Sequence, residues 1–361
     1  MTEKGNNNAT TDSAQQEPEH SRFEFELRRA LLEESSAPDA VEAYLEFLQR
    51  NGESLGSSRK KMWVSISLLV AAACIAAVCF ISPWRMMNWQ NGGAKTLATT
   101  DDDKYVCISM GDDKMSLGNR DNFKDMGIFV TKDNVIKVLD TRQSSASQQK
   151  AITVSVPSGQ TARLVLPDGT QVSLNAASRI TFPRHFSQSG VRDVLLEGEA
   201  YFEVFHDEVH PFVVHAHEFD VKVLGTRFNV RSYPGETHSV ALVEGIVRVE
   251  QGGKQVFLQS PDESVIIQHN KLTPATIEPE LALDWLRGEF YFDGQDLREV
   301  MAEIGRWYHC RVVFAHANSH VEPLHFSASR TTSVQEVIRQ LQLISHARIE
   351  FNEKLQVLLV K

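Results

Sequence analysis

The chain has 361 residues, 42% of them hydrophobic and 23% charged, with a formal net charge of −10. That composition suits a globular chain of two or three domains and excludes the basic face that a nucleic-acid binder needs. The charge is uneven: Met1 to Ser58 holds 12 Asp/Glu against 5 Lys/Arg, a net of −7. Such an acidic head suits a basic partner, and equally a solvated tail.

Residues 1–20 are rich in Asn, Thr, Gln and Glu and read as disordered. Residues 21–58 read as a helical head with two short amphipathic helices. Phe23, Leu27, Ala30 and Leu31 form one apolar stripe. After the start signal Ser-Ser-Ala-Pro-Asp, Val41, Tyr44, Leu45 and Leu48 form the other. Helices this short bury little alone, so their apolar faces call for each other, a dimer mate or a partner protein.

Met62 to Ser82 carries no charged residue. At helical rise this run is about 31 Å long, the thickness of a hydrocarbon core. Trp63 and Trp84 flank it, and Arg59, Lys60 and Lys61 precede it. The positive-inside rule then places the N-terminus in the cytoplasm and the rest of the chain across the membrane. A cleaved signal peptide would lie near residue 1 instead. Residues 85–103 read as a polar linker.

Residues 104–277 are short strands and turns, the pattern of an all-β sandwich or solenoid-like stack. "RLVLPDGTQVSL" (Arg163–Leu174) is a hairpin around Pro-Asp-Gly, and "VCISMGDDKMSL" is a degenerate version of it. A second echo aligns "VLLEGEAYFEV" with "ALVEGIVRVE", laying Glu197-Gly198 over Glu244-Gly245. From Leu283 the period turns helical. Leu297, Val300, Met301, Ile304 and Tyr308 form one stripe, and Val334, Val337, Ile338, Leu341 and Ile344 another. Asp296 with Glu299, and Ser333 with Glu336, are matching capping boxes. A shift of 37 residues lays His309 on His346, Arg311 on Arg348 and Phe314 on Phe351. Residues 283–361 therefore read as a duplicated βαβ module with "LQVLLV" as a last strand.

Few residues point to chemistry. Cys74 and Cys79 fall in the span, while Cys107 and Cys310 read as two separate buried thiols. His206, His210, His215 and His217 cluster, with His215 and His217 at a strand-face spacing, but no acidic or Cys partner stands at a metal-motif spacing. No metal and no cofactor is expected. Phosphate-loop, dinucleotide, nucleophile-elbow and zinc-protease motifs are missing from the sequence. The chain does not read as an enzyme acting on other molecules. "VLGTRFNV" (Val223–Val230) is the exception, because Gly225-Thr226 interrupts an alternating strand pattern. The pair is either a bulge or a bond that breaks itself. A Thr hydroxyl can attack the preceding carbonyl, and a Gly there tolerates the strained geometry.

From Ile152 onward the stretches "VPSGQTARLVLPDGTQVSLNAASRITFP", "RDVLLEGEAYFEV", "PFVVHAHEFDVKVLGTRFNVRSYPG" and "VALVEGIVRV" resemble the FecR family of anti-sigma factors. The tail from "LRGEFYFDGQDLREVMAEIGRWY" is similar to the C-terminal domain of Bacteroidetes members and to the signalling domain of TonB-dependent receptors and secretins. Ser173 stands where the family usually has Trp, and Pro261-Asp262-Glu263 replaces its Pro-Gly-Glu turn. The resemblance implies a single-pass inner-membrane protein with a cytoplasmic α-helical head, a periplasmic all-β FecR domain and a C-terminal α+β signalling-like module. The head would hold an extracytoplasmic-function sigma factor through the two stripes. The module would meet the signalling domain of a TonB-dependent receptor, with Val357 and Leu359 on an exposed strand edge open to β-augmentation. Some members break at the matching Gly-Thr bond, which implies products Met1–Gly225 and Thr226–Lys361, followed by a site-2-type membrane protease. A rival reading is a membrane-tethered periplasmic binding module, for glycans for example, with the head only an anchor.

Overall fold

The computed structural model describes residues 105–361 apart from 112, 118–126, 140–150, 187–189 and 317–322. The two head helices, the span Met62–Ser82 and the linker 85–103 lie outside the described residues. Among the described residues no helix is long and apolar enough to cross a membrane.

Among the described residues, seventeen strands build the first part. They are β1 (Cys107–Met110), β2 (Asp113–Ser116), β3 (Ile128–Val130), β4 (Val135–Val138), β5 (Ala151–Ser155), β6 (Ala162–Val165), β7 (Gln171–Leu174) and β8 (Arg179–Pro183). The long β9 (Arg192–Glu203) follows, then β10 (Phe212–His215), β11 (Asp220–Val223), β12 (Arg227–Ser232) and β13 (His238–Glu244). β14 (Val247–Gln251), β15 (Lys254–Leu258), β16 (Glu263–Gln268) and β17 (Lys271–Thr276) complete them. Pairing sorts them into two layers. One runs β2–β1–β5–β8–β9–β10–β11–β14–β15. The other runs β3–β4–β6–β7–β9–β12–β13–β16–β17.

β9 belongs to both layers. Arg192–Glu197 pairs in the first and Gly198–Glu203 in the second. The switch falls at Gly198, whose φ of +99° is open only to glycine without strain, and a β-carbon there would lie 2.7 Å from Ser178 Cα. Gly245, φ +101°, makes the same crossing between β13 and β14. The echoed Glu-Gly pairs are therefore layer-to-layer corners, which is why the sequence repeats them. Inward positions alternate along the strands, as in β5, where Ile152 and Val154 are fully buried. Phe202 stacks on Phe228 at 5.1 Å between ring centres in the middle of the sandwich. Each such fully buried ring contributes about 2–3 kcal/mol of transfer free energy. Both predicted hairpins form, with Ile108 opposite Met115 and Leu164 opposite Val172. Asp168 closes the second turn by accepting from Thr170 N at 3.0 Å.

Two short helical turns, Pro279–Ala282 and Asp284–Arg287, lead into the second part. It consists of β18 (Glu289–Gln295), α1 (Leu297–Tyr308), β19 (Arg311–Phe314), β20 (Leu324–Ser329), α2 (Val334–Ser345), β21 (Ile349–Asn352) and β22 (Val357–Val360). The duplication holds in detail. Both helices have 12 residues, start at Asp296 and Ser333 caps, and stop at His309 and His346 with φ +55° and +54°. Leu297, Val300, Met301 and Ile304 face one core with Val337, Ile338 and Leu341. Ile344 departs from its predicted stripe and is 41% exposed. Ser345 takes the inward place instead, its hydroxyl donating to Leu341 O at 2.7 Å.

Candidate functional site: a crossing corner and a buried charge cluster

"VLGTRFNV" is not one interrupted strand. Val223 ends β11 in the first layer and Arg227 starts β12 in the second, with Leu224–Thr226 as the crossing. Gly225 does not adopt a left-handed conformation. Its need for glycine is steric: a β-carbon would sit 2.6 Å from His206 Cα and 2.7 Å from its Cβ, and closer still to Nδ1. The segment after β9 lies against the corner, with Val204 N donating to Thr226 O at 3.0 Å and Asp207 N to Leu224 O at 2.9 Å. Arg192, 3% exposed, pins both sides. Its guanidinium donates to the carbonyls of Phe205 and His210 at 2.8 Å and of Leu224 at 3.3 Å, and pairs with Asp168 at 2.8 Å. Thr226 is 5% exposed, and its hydroxyl donates to Ile246 O at 2.9 Å. The register shift expected of a bulge is present one residue on, between Arg227 and Phe228.

The clustered histidines serve separate partners. His210 Nδ1 lies 2.8 Å from Asp207, whose carboxyl is held down at about 2 by that contact and by backbone N–H donors. His215 ends β10 between Asp193 at 3.0 Å and Asp220 at 2.8 Å, and those hydrogen bonds raise its imidazole to about 9. His217 lies in the bend after β10, beside His238, so His215 and His217 do not share a strand face. No group of residues able to hold a metal ion is found among the described residues. Cys107 and Cys310 are buried and not disulfide-bonded.

Val357 and Leu359 are not on an edge. β22 is the middle strand of its sheet, parallel to β19 and antiparallel to β21, and Leu359 is fully buried. Both hydrogen-bonding sides of that strand are taken, so β-augmentation has no access there; the sheet's outer strands are β19 and β21.

A second constellation joins the two parts. In β12, Phe228 and Val230 point inward, which turns Asn229 and Arg231 to the outer face. The C-terminal module covers that face. Arg231 bonds Glu199, opposite it in the ladder, and Glu303 of α1, each at 3.1 Å. Arg330 reaches Glu303 at 2.8 Å and Asn175 at 2.9 Å, while Trp285 donates its indole N–H to Asn229. Arg306 pairs with Glu236 and lies over the Tyr233 ring. Burial alone would raise the Glu303 carboxyl, but Arg231, Arg330 and Arg306 outweigh it and hold the group below its ordinary range. Burial and then Glu199 push the Tyr233 hydroxyl up. The sequence offered one signal for this cluster: charges at Glu199 and Arg231 inside otherwise core-forming strands.

Family models match the chain in the two places this geometry separates. The FecR protein model matches residues 152–248, the sandwich from β5 to β14. The FecR, C-terminal model matches residues 289–358, the duplicated module. The chain belongs to the FecR family of anti-sigma factors. Two crystal structures of a candidate anti-sigma factor from Parabacteroides distasonis ATCC 8503, at 1.65 Å and 2.50 Å resolution, are similar to it. Each is 28% identical, with a TM-score of 0.54, covering 58% of this chain and 98% of that one. No curated protein matches the chain. A FecR-family role is regulatory and implies a sigma factor as partner.

Proposed function

We propose that this FecR-family protein is a single-pass regulator of the inner membrane. Its acidic head, residues 21–58, holds an extracytoplasmic-function sigma factor through the Phe23/Leu27/Leu31 and Val41/Tyr44/Leu45/Leu48 stripes. The FecR domain and the C-terminal module stand in the periplasm and receive the signalling domain of a TonB-dependent receptor. Self-cleavage at Gly225-Thr226 primes the chain, and a site-2-type membrane protease then frees the head. The observation that carries this reading is the joining of a FecR domain and its C-terminal module into one compact unit, behind an uncharged 21-residue run preceded by Arg59, Lys60 and Lys61. Self-cleavage is supported by Thr226, whose buried hydroxyl adjoins a glycine at a corner held rigidly from both sides.

Co-purification tests the head. Residues 1–58, tagged and expressed in the native host, are expected to retain a sigma factor. Leu27→Glu with Leu45→Glu should release it, and a head that retains no sigma factor overturns the proposal. Immunoblots of the chain tagged at both ends test the bond. Fragments ending at Gly225 and starting at Thr226 are expected in wild type and absent in Thr226→Val. Full-length protein in both reduces the corner to a bulge.

A further inference from the structure

We infer that β15 is a docking edge for the same strand of a second copy of this chain. Among the described residues the two layers end in four strands, β2 and β15 in one, β3 and β17 in the other. A strand at the end of a sheet leaves half of its N–H and C=O groups outside any ladder. Proteins ordinarily blunt such an edge with charges, a proline or shortness. Three of the four follow that rule. β2 carries Asp113 and Lys114, both exposed, β3 is three residues long, and β17 holds Pro274 in its interior. β15 does not follow it. It reads Lys254-Gln255-Val256-Phe257-Leu258, with a single charge at its start.

The edge is open as well as apolar. β15 is laddered to β14 from Lys254 to Leu258, and among the described residues no other backbone hydrogen bond reaches it. β16 and β17 approach from the other layer without pairing with it. Leu258 is buried in the core, which turns Phe257 to the outer face, opposite Arg248 in the ladder and 49% exposed. Val247 is fully buried and likewise turns Ile246 outward, 57% exposed and diagonal to Phe257. The outer face beside the open edge therefore carries two large apolar side chains.

The residues of β15 suit an identical strand. With a two-fold axis at Val256 and the copies antiparallel, Lys254 falls opposite Leu258 of the second copy and Gln255 opposite its Phe257. Val256 then meets Val256. Lys254 is the strand's one charge, so no like charges are opposed. The two Phe257 rings become diagonal neighbours about 7–8 Å apart, within aromatic reach. Outer face continues into outer face, and the Ile246 and Phe257 side chains of both copies form one apolar strip. Five residues a side bury less than the about 1,200 Å² of a stable soluble dimer. The pair therefore exchanges in solution and calls for trapping.

The test is oxidative crosslinking of the full-length chain in membranes, read on non-reducing gels. The wild-type chain, with four cysteines of its own, sets the background. Directly opposed residues of an antiparallel ladder have α-carbons about 4.5–5.5 Å apart, inside the span that a disulfide bridges. Val256→Cys is therefore expected to give a covalent dimer about tenfold above background. Thr273→Cys, on the blunted edge β17, should stay at background. Phe257→Lys added to Val256→Cys should lower the dimer about tenfold, because it sets like charges across the axis. Two tagged chains expressed together, one Gln255→Cys and the other Phe257→Cys, should crosslink to each other more than either does to itself. That result fixes the register without removing an apolar contact from both copies. A Val256→Cys chain that stays at background overturns the inference. A Thr273→Cys dimer of equal strength overturns it too, since the copies then meet by collision. A Val256→Cys dimer that Phe257→Lys leaves unchanged places the meeting surface elsewhere and also overturns it.

Discussion

Glu303→Ala removes the anion that α1 of the C-terminal module presses between Arg231 and Arg330. The contacts are at 3.1 and 2.8 Å, and Arg330's side chain is only 2% exposed. The substitution leaves Arg330 with the Asn175 side chain and the Glu289 carbonyl as hydrogen-bond partners. Arg231 keeps Glu199 and Glu236. Removing one member of a buried ion network costs about 3–5 kcal/mol, because the remaining charges stay desolvated. At 1.4 kcal/mol per decade, that is a change of about 100- to 4,000-fold in the population with the module detached. Because the cost falls on the join rather than on either core, the loss is expected as a split. Urea unfolding of residues 101–361 followed by tryptophan fluorescence should pass from one transition to two. Trp285, bonded across the join to Asn229, should report the first, and circular dichroism of the sandwich the second. The same join should weaken in acid. Arg231, Arg330 and Arg306 hold the Glu303 carboxyl below the ordinary value of 4.5, so its contribution is present above that value and is lost as pH falls through the lower folded one. A single transition shifted by less than about 1 kcal/mol, the scale of exposed ion pairs, would refute the reasoning.

Gly225→Ala should destabilise the sandwich by about 1–3 kcal/mol, the usual cost of overpacking, because backbone atoms of His206 block the new methyl; thermal melts check this. Val357→Pro should unfold the C-terminal module, since β22 gives its N–H groups to ladders on both sides. Proton NMR would show loss of the module's dispersed signals, whereas a folded module that merely fails to bind a receptor domain would contradict that placement. His215, raised to about 9 by Asp193 and Asp220, should steady the β10–β11 hairpin fully below pH 6.5 and lose that effect as pH rises through 9. An imidazole titrating near 6.5 in NMR would remove the basis for this.

Local rules carried the sequence reading as far as local physics decides structure. The capping boxes, the 37-residue duplication and the Pro-Asp-Gly hairpin each follow from contacts within a few residues, and each is found as read. Two features needed tertiary knowledge. Gly225 looked like a break in a strand because the period of two runs on past Leu224, yet the chain changes layers there. Val357 and Leu359 looked like an edge because a last strand in sequence tends to be last in space, but β22 inserts between β19 and β21. The charge cluster was hidden for a related reason. Arg231 and Glu303 are 72 residues apart, and each on its own reads as an ordinary solvent-facing charge.

A cut between Gly225 and Thr226 would not let the chain fall apart. β11, before the bond, is laddered to β14, and β12, after it, is laddered to β9 from Arg227 to Ser232. Each piece would own strands in both layers, like two combs pushed together. Separation by thermal motion alone would mean rupturing both ladders at once. A steady pull on the C-terminal module would load both ladders together with the Arg330–Asn175 bond by which the module grips the first piece. The seam would then behave as a mechanical fuse, durable at rest and released by tension.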